Sequence, residues 1–309
     1  MEQKPLGRSG LRVSVVGLGC NNFGMRCDLA QTRSVVGKAL DLGVTLFDTA
    51  DVYGGQGVSE EYLGKALEGR RNEVIVATKF GMPMGEGYRR GGSRRWIMQA
   101  CENSLRRLAT DYIDLYQIHF PDASTPIEET LRALDDLVRQ GKVRYLGCSN
   151  FAGWQVVEAA FTARNAHLTA FVSAQNFYNL LERGVEKELV PACSAYGLGI
   201  LPYFPLASGL LTGKYRRGEA PPEGTRLSVP RFKGALTDKN FDKVEKLASF
   251  AADAGHSLLD LAIGWLASQA HVPSVIAGAT RPEQVEQNVR AGEWKLTPAE
   301  LAKASELSA

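Results

Sequence analysis

The chain reads as an α/β protein, a single domain in which eight parallel strands, each followed by a helix, close into a (β/α)8 TIM barrel. Three features carry that reading. Short apolar runs alternate eight times with stretches of helical period between Val15 and Val289. Polar, reactive residues stand at the carboxyl ends of successive runs, where that fold keeps its sites. A small hairpin precedes the first run, and a long Gly/Pro/Arg-rich loop follows the seventh. A length of 309 residues would by itself favour about two domains, but a closed barrel fills it as one.

Leu6 to Ser14 alternates around Ser9-Gly10, a hairpin turn signal, and such a hairpin can plug one end of the barrel. Val15 to Cys20 is the expected first strand. A helix from Gln31 to Leu42 follows, with Val35, Val36, Ala39 and Leu40 at helical spacing and Gly43 as its stop. The second strand runs from Thr45 into Asp48, and a tight polar turn then presents Tyr53. Ser59 is expected to begin a capped helix to Leu67, and Val74 to Thr78 forms a strand that delivers Lys79. After a glycine-rich loop from Gly81 to Gly92, Ser93 caps a helix to about Leu108, and Tyr112 to Ile118 delivers His119. Pro126 opens a helix that stops near Gly141, and Val143 to Cys148 ends in Ser149 and Asn150. A helix through Val156 and Ala160 leads to Phe171 to Ala174, which ends in Gln175. A helix from Val185 to Tyr196 precedes the seventh strand, Gly199 to Tyr203. The stretch from Ser208 to Pro230 is too long for a plain connector and reads as a binding lid. Helices over Asp238 to Ala254 and Leu258 to Ser268, a strand Val275 to Ala277 and a helix from Pro282 to about Val289 complete the pattern.

The balance of 36 basic and 34 acidic side chains leaves a formal charge of +2, so no broad attraction to nucleic acid, membrane or a polyanionic substrate is implied. Met1 to Gly7 lacks the apolar core of a signal peptide, and no apolar run is long enough to cross a bilayer; a soluble, cytoplasmic protein is expected. Cys20, Cys27, Cys101, Cys148 and Cys193 are scattered, with no Cys-x-x-Cys pair and no nearby histidines, which predicts reduced, mostly buried thiols and no zinc.

Asp48, Tyr53, Lys79 and His119 form a proton-handling set once the barrel brings the strand ends together. Hydride reduction of a carbonyl leaves an alkoxide that needs a proton, and a phenol of pKa near 10 gives one up reluctantly at neutral pH. A lysine ammonium beside it favours the phenolate. Asp48 would hold Lys79 charged and in place, and His119 could donate a hydrogen bond to the carbonyl. This is acid catalysis without metal. It demands a separate hydride source, hence a nicotinamide cofactor.

These residues resemble the aldo-keto reductase superfamily. Asp48-Thr49-Ala50-Asp51-Val52-Tyr53-Gly54 is similar to its Asp/Tyr motif, Ser104 to Leu108 with Asp111 to His119 to the segment leading to its histidine, and Gly141 to Phe151 to its fifth-strand motif. The likeness runs from Leu6 to about Asn288, and all four catalytic positions, Asp48, Tyr53, Lys79 and His119, are present. It implies reduction of small aldehydes or ketones to alcohols, with Tyr53 as proton donor. By the same resemblance Ser149, Asn150 and Gln175 would hydrogen-bond the nicotinamide carboxamide, and the Tyr203 ring would stack on the nicotinamide. Gly19, Cys20, Asn21 and Asp48 are further implied cofactor contacts. Phe204, Pro205, Leu206, Ala207, Ser208 and Gly209, continuing to Lys214 and Tyr215, are similar to the loop of the shorter bacterial and channel-subunit-like branches that straddles the pyrophosphate; Lys214 and Arg226 are the clamp candidates. Gly278, Thr280, Arg281, Gln284, Gln287 and Asn288 resemble the adenosine-phosphate site. Thr280 and Arg281 stand before a helix amino terminus, a natural place for a 2′-phosphate, which favours NADP(H) over NAD(H). Gln284 stands where many members carry arginine, and Gln287 where many carry glutamate.

Two other readings compete. Gly17-Leu18-Gly19 invites a Rossmann dehydrogenase with Asp48 on the ribose, but Asn22 occupies the third glycine position and Asp48 lies well beyond the expected ~20 residues. A redox-sensing regulatory subunit that binds nicotinamide with little turnover is the alternative from a different class. Asn21, Asn22, Phe23, Met25, Met82, Met84, Tyr88, Phe120 and the carboxyl-terminal tail are expected to line a mixed apolar and polar substrate pocket.

Overall fold

The computed structural model of the chain describes residues 1–229 and 234–309; Pro230, the expected end of the long loop, lies outside the described residues. A hairpin comes first, β1 (Gln3–Pro5) pairing antiparallel with β2 (Arg12–Ser14). Its connection spans Leu6 to Leu11, closed by the Leu6 N–H on the Leu11 carbonyl at 2.7 Å, so Ser9-Gly10 is only the tip of a wider loop.

The barrel strands are β3 (Val16–Gly19), β4 (Leu46–Asp48), β5 (Ile75–Phe80), β6 (Ile113–Ile118), β7 (Val143–Ser149), β8 (Phe171–Phe177), β9 (Gly199–Tyr203) and β10 (Val275–Gly278). All their pairings are parallel, in the order β10-β3-β4-β5-β6-β7-β8-β9, and β9 lies against β10, so the sheet nearly closes. Around them run α1 (Leu29–Asp41), the short α2 (Tyr53–Gln56), α3 (Val58–Ala66), α4 (Arg94–Leu108), α5 (Ile127–Arg139), α6 (Gly153–Asn165), α7 (Leu189–Tyr196), α8 (Asp238–Asp253), α9 (Leu258–Ala267), α10 (Pro282–Ala291) and α11 (Pro298–Leu307). Among these helices none is long and apolar enough to cross a membrane.

Strand alternation sets what faces inward. Residues two apart share a face, and Leu46, Ala77, Leu115, Leu201 and Ile276 meet inside the barrel with Leu6 and Val13 of the hairpin, which plugs that end. Two positions further along the same rows stand Asp48, Lys79, Gln117, Tyr203 and Gly278. The interior is therefore apolar below and polar above. The intervening residues, among them Phe47, Val76, Tyr116, Leu146, Ala174 and Ile200, join the outer core beneath the helices, where each fully buried large side chain contributes roughly 1.5–3 kcal/mol.

Local chemistry explains the helix starts. Asp28 accepts from the Gln31 N–H at 2.8 Å while Gln31 Oε1 accepts from the Asp28 N–H, a reciprocal cap on α1, and Ser93 caps α4 through the Trp96 N–H. Three elements differ from expectation. α3 is entered through Gly57 in a left-handed conformation, and Ser59 is no cap: its hydroxyl reaches the Cys20 carbonyl and Thr49 Oγ1, each at 2.8 Å. The helix read from Val185 to Tyr196 is split into a single 3-10 turn at Gly184–Glu186 and α7. Glu188 leaves helical conformation to accept from the Trp154 N–H at the start of α6, where Gly153 provides the room. Helix α11, absent from the sequence reading, begins with a Thr297–Glu300 capping box and packs on the outside of the barrel, the Trp265 indole donating to Ser305 Oγ at 3.0 Å.

Candidate active site

A cavity of about 660 Å3 opens at the carboxyl ends of the strands, a size usual for small-molecule sites. At its floor Lys79, fully buried, donates to Asp48 Oδ2 at 2.6 Å and to the Thr49 carbonyl at 2.9 Å. Asp48 Oδ1 accepts from Gln175 Nε2 at 2.8 Å and Gln117 Nε2 at 3.3 Å, so both carboxylate oxygens are engaged. The Tyr53 ring lies over the pair, with Lys79 Nζ 5.0 Å from its centroid, and His119 packs edge-on against it at 5.8 Å. Strand ends thus supply Asp48, Lys79 and His119, and the turn after β4 supplies Tyr53.

Burial and charge compete at each of these groups. Burial opposes the Lys79 ammonium, but Asp48 and Tyr53 outweigh it and hold its pKa above the ordinary value. Burial raises the Tyr53 phenol; the Lys79 charge pulls it back without overcoming that rise, so the lowered phenol expected from the sequence is not the net result. Burial, and then the Lys79 charge, pull His119 down to about 3, so the ring is neutral at working pH. Its Nδ1 is buried with no hydrogen-bond partner among the described residues, which leaves recognition to Nε2. Burial, then Asp48, push up the Cys20 thiol, so it is no nucleophile.

Along one wall Asn150 is held at φ +61°, its Nδ2 donating to the His119 carbonyl and to Ser149 Oγ, its Oδ1 accepting from the Tyr203 hydroxyl at 2.8 Å. Ser149 Oγ donates to the Gln175 carbonyl at 2.9 Å. Phe177 stacks on Tyr203 with centroids 5.6 Å apart, fixing that ring. The 3-10 turn Ala207–Thr212 follows β9, and Phe204, Ala207 and Ser208 all take positive φ, a strain concentrated where backbone borders a site. Asn179, fully buried, steadies the turn through the Phe204 carbonyl at 2.9 Å.

The rim is basic. Lys214 lies along Gly209, and the Arg226 guanidinium sits 5.0 Å from the Phe204 ring centroid. Arg26 donates to the Gly224 carbonyl at 2.9 Å, joining the loop after β3 to the long loop after β9. At the far end Thr280 donates both its N–H and its hydroxyl to Gln284 Oε1, closing the first turn of α10.

Of the residues singled out from sequence, Gly19, Cys20, Asn21, Asp48, Tyr53, His119, Ser149, Asn150, Gln175 and Tyr203 line this cavity. So do Phe204, Pro205, Leu206, Ser208, Gly209, Lys214, Arg226, Gly278, Thr280, Gln284, Gln287 and Asn288. Among the expected catalytic and cofactor residues three do not: Lys79 lies beneath Asp48, Ala207 is buried in its turn, and Arg281 is exposed at the N-cap of α10. Asn22, Met82 and Phe120 also line it, as expected of the substrate wall. Phe23 is instead buried in the core, Met25 is 65% exposed, Met84 borders a second, smaller cavity, and Tyr88 bonds Gln99 under Arg95. No residue after Asn288 lines the cavity among those described, because α11 packs outside the barrel. Gln117, Asn179 and Arg26 were not picked out from sequence. All five cysteines are free and buried, and no cluster of three or more metal-ligating side chains occurs among the described residues.

A parallel barrel with a buried Lys–Asp pair under a tyrosine at its strand ends is an arrangement able to handle protons beside a small-molecule cavity, and comparison with known proteins gives the family. The model of the Aldo/keto reductase family matches residues 15–309, and the chain belongs to that family of oxidoreductases, which generally use a nicotinamide cofactor. Similar proteins include the probable voltage-gated potassium channel subunit beta of Oryza sativa subsp. japonica, 40% identical over 94% of this chain and 91% of its own. The uncharacterized oxidoreductase YrpG of Bacillus subtilis (strain 168) is 38% identical over 96% of this chain and 92% of its own. The L-glyceraldehyde 3-phosphate reductase of Escherichia coli (strain K12) is 36% identical over 94% and 87%.

Proposed function

We propose that this protein is an NADP(H)-dependent reductase that converts small aldehydes or ketones to alcohols, with Tyr53 as the proton donor. The observation that carries the reading is the fully buried Lys79, paired to Asp48 at 2.6 Å beneath the Tyr53 ring at the cavity floor. A bound nicotinamide cofactor supplies the hydride. The chain supplies everything else. Neutral His119 donates a hydrogen bond that polarises the carbonyl without adding charge, and Tyr53 gives its proton to the forming alkoxide. The phenolate left behind is stabilised by the Lys79 ammonium, which Asp48 keeps charged and in place.

The cavity suits such a cofactor: fixed amide and hydroxyl groups at Ser149, Asn150 and Gln175, the braced ring of Tyr203, and cationic Lys214 and Arg226 at the rim for the pyrophosphate. Arg281, exposed at the N-cap of α10 with Pro282 as the first helical residue, is the ligand for a 2′-phosphate, and with Thr280 it underlies the preference for NADP(H). The likeness to proteins named channel subunits supports a second reading, a nicotinamide-binding redox sensor with little turnover.

Tyr53→Phe tests the proposal. It keeps the ring that packs on Lys79 and His119, so fluorescence titration should show NADPH binding within a few fold of the parent, while carbonyl reduction falls by about a hundredfold to ten-thousandfold. Undiminished turnover removes Tyr53 from the chemistry. Binding without turnover in the parent itself favours the sensor.

A further inference from the structure

The turn that carries Tyr53 rests on a second polar cluster behind the cavity. Glu60 of α3 is fully buried, and its two oxygens accept from Thr78 Oγ1 at 2.5 Å and Arg107 Nε at 2.6 Å. Thr78 precedes Lys79 on β5, so one strand presents Lys79 to the barrel interior and Thr78 to this cluster. Arg107, in the last turn of α4, lies against Gly57, which ends α2 and caps α3; a Cβ at Gly57 would strike the guanidinium. Gly64, one turn beyond Glu60, lets the end of α4 approach until a Cβ there would sit 2.6 Å from the Leu108 carbonyl. Asp51, only 1% exposed and two residues before Tyr53, donates its N–H to the Lys79 carbonyl at 3.0 Å. Its carboxyl lines a separate cavity of about 240 Å3 with Trp96 and Arg107 and has no hydrogen-bond partner among the described residues. The stretch 51–57 is thus held by β5 through the Lys79 carbonyl and by α4 through Arg107, which Glu60 of α3 in turn holds in place.

A buried ion pair adds little net stability over apolar residues of equal volume. What this one does is fix position. We infer that Glu60 and Arg107 are positioning residues for Tyr53: through Thr78 and Gly57 they hold the turn between β4 and α3 so that the Tyr53 ring stays over Lys79. The inference rests on the reading of Tyr53 as proton donor. It makes the second cluster part of the reaction geometry although none of its members touches the main cavity.

The test is E60Q/R107M, which removes both charges together, strands neither, and leaves Thr78 an acceptor. With 4-nitrobenzaldehyde as the probe carbonyl, NADPH affinity should stay within about twofold while kcat falls roughly tenfold to a hundredfold, the loss expected when a reacting group is misplaced by about 1 Å. In a Tyr53→Phe background the same pair should cause no further loss, because its effect passes through the phenol. A crystal structure should show the ring withdrawn from Lys79 beyond the present 5.0 Å. R107K, which keeps a charge beside Glu60 but loses the guanidinium against Gly57, is the milder variant and should lose less, with the same dependence on Tyr53. Unchanged kcat, an equal loss in the Tyr53→Phe background, or an unmoved ring overturns the inference. Full activity of Tyr53→Phe alone overturns the reading of Tyr53 instead, and the crystallographic arm still decides whether the cluster positions the ring.

Discussion

Lys79 is where stability and the proposed chemistry meet in one side chain. It is fully buried, and it stays charged because Asp48 and Tyr53 outweigh the desolvation. Lys79→Met leaves Asp48 buried without its cation, which should cost about 3–5 kcal/mol in urea unfolding. Turnover should fall as well. Adding Asp48→Asn should restore much of the stability and none of the turnover; a Lys79→Met enzyme as active as the parent contradicts the proton relay. Asp48, Lys79 and His119 were legible because each follows an apolar run, and Tyr53 because a tight polar turn presents it directly after one. Gln117, which bonds Asp48, was hidden between Tyr116 and Ile118 inside such a run, and only the two-residue alternation from Leu115 marks it as inward. The net pKa of Tyr53 was also illegible, since sequence shows the neighbouring charge but not the burial that outweighs it.

Helix α10 is where the proposed cofactor preference is tested. Its first turn is closed on Gln284, whose N–H donates to the Arg281 carbonyl at 3.1 Å, while the Arg281 side chain, at the exposed N-cap position, takes no part in capping. Arg281→Ala should weaken NADPH by about tenfold to a hundredfold, the loss of one charged hydrogen-bonded contact, and leave NADH nearly unchanged. Equal losses for both cofactors, measured as KM, make the arginine a solvated helix end. Element boundaries were legible where local chemistry set them, as at Ser93. They were missed where distant contacts did: Glu188 breaks its helix to reach Trp154, and Ser59 turns its hydroxyl to Cys20 instead of capping. Helix α11 did carry a readable signal, Thr297 and Glu300 flanking Pro298, but lies beyond the eight-unit rhythm that organised the reading.

The barrel divides its labour between its two ends. Leu6 and Val13 of the hairpin seal one end with Leu46, Ala77, Leu115, Leu201 and Ile276, while the polar positions two residues on gather at the other. Leu6→Ala should therefore destabilise the fold by about 2–5 kcal/mol in urea unfolding and leave kcat unchanged where the protein is folded. A matching loss of kcat would mean the two ends are coupled. The eight-unit rhythm made the barrel legible, but the cavity's outline depends on the turn at Ala207–Thr212 and on Arg26 reaching Gly224, contacts set by tertiary closure rather than by any local pattern. Whether that cavity performs reduction is decided by isotope transfer. With NADPH deuterated at the transferable position and a panel of aldehydes and ketones, the protein should yield an alcohol bearing one deuterium at the former carbonyl carbon, and Tyr53→Phe should nearly abolish its formation. Tight NADPH binding with no label transferred to any carbonyl in the panel would contradict the reductase and leave a nicotinamide sensor in its place.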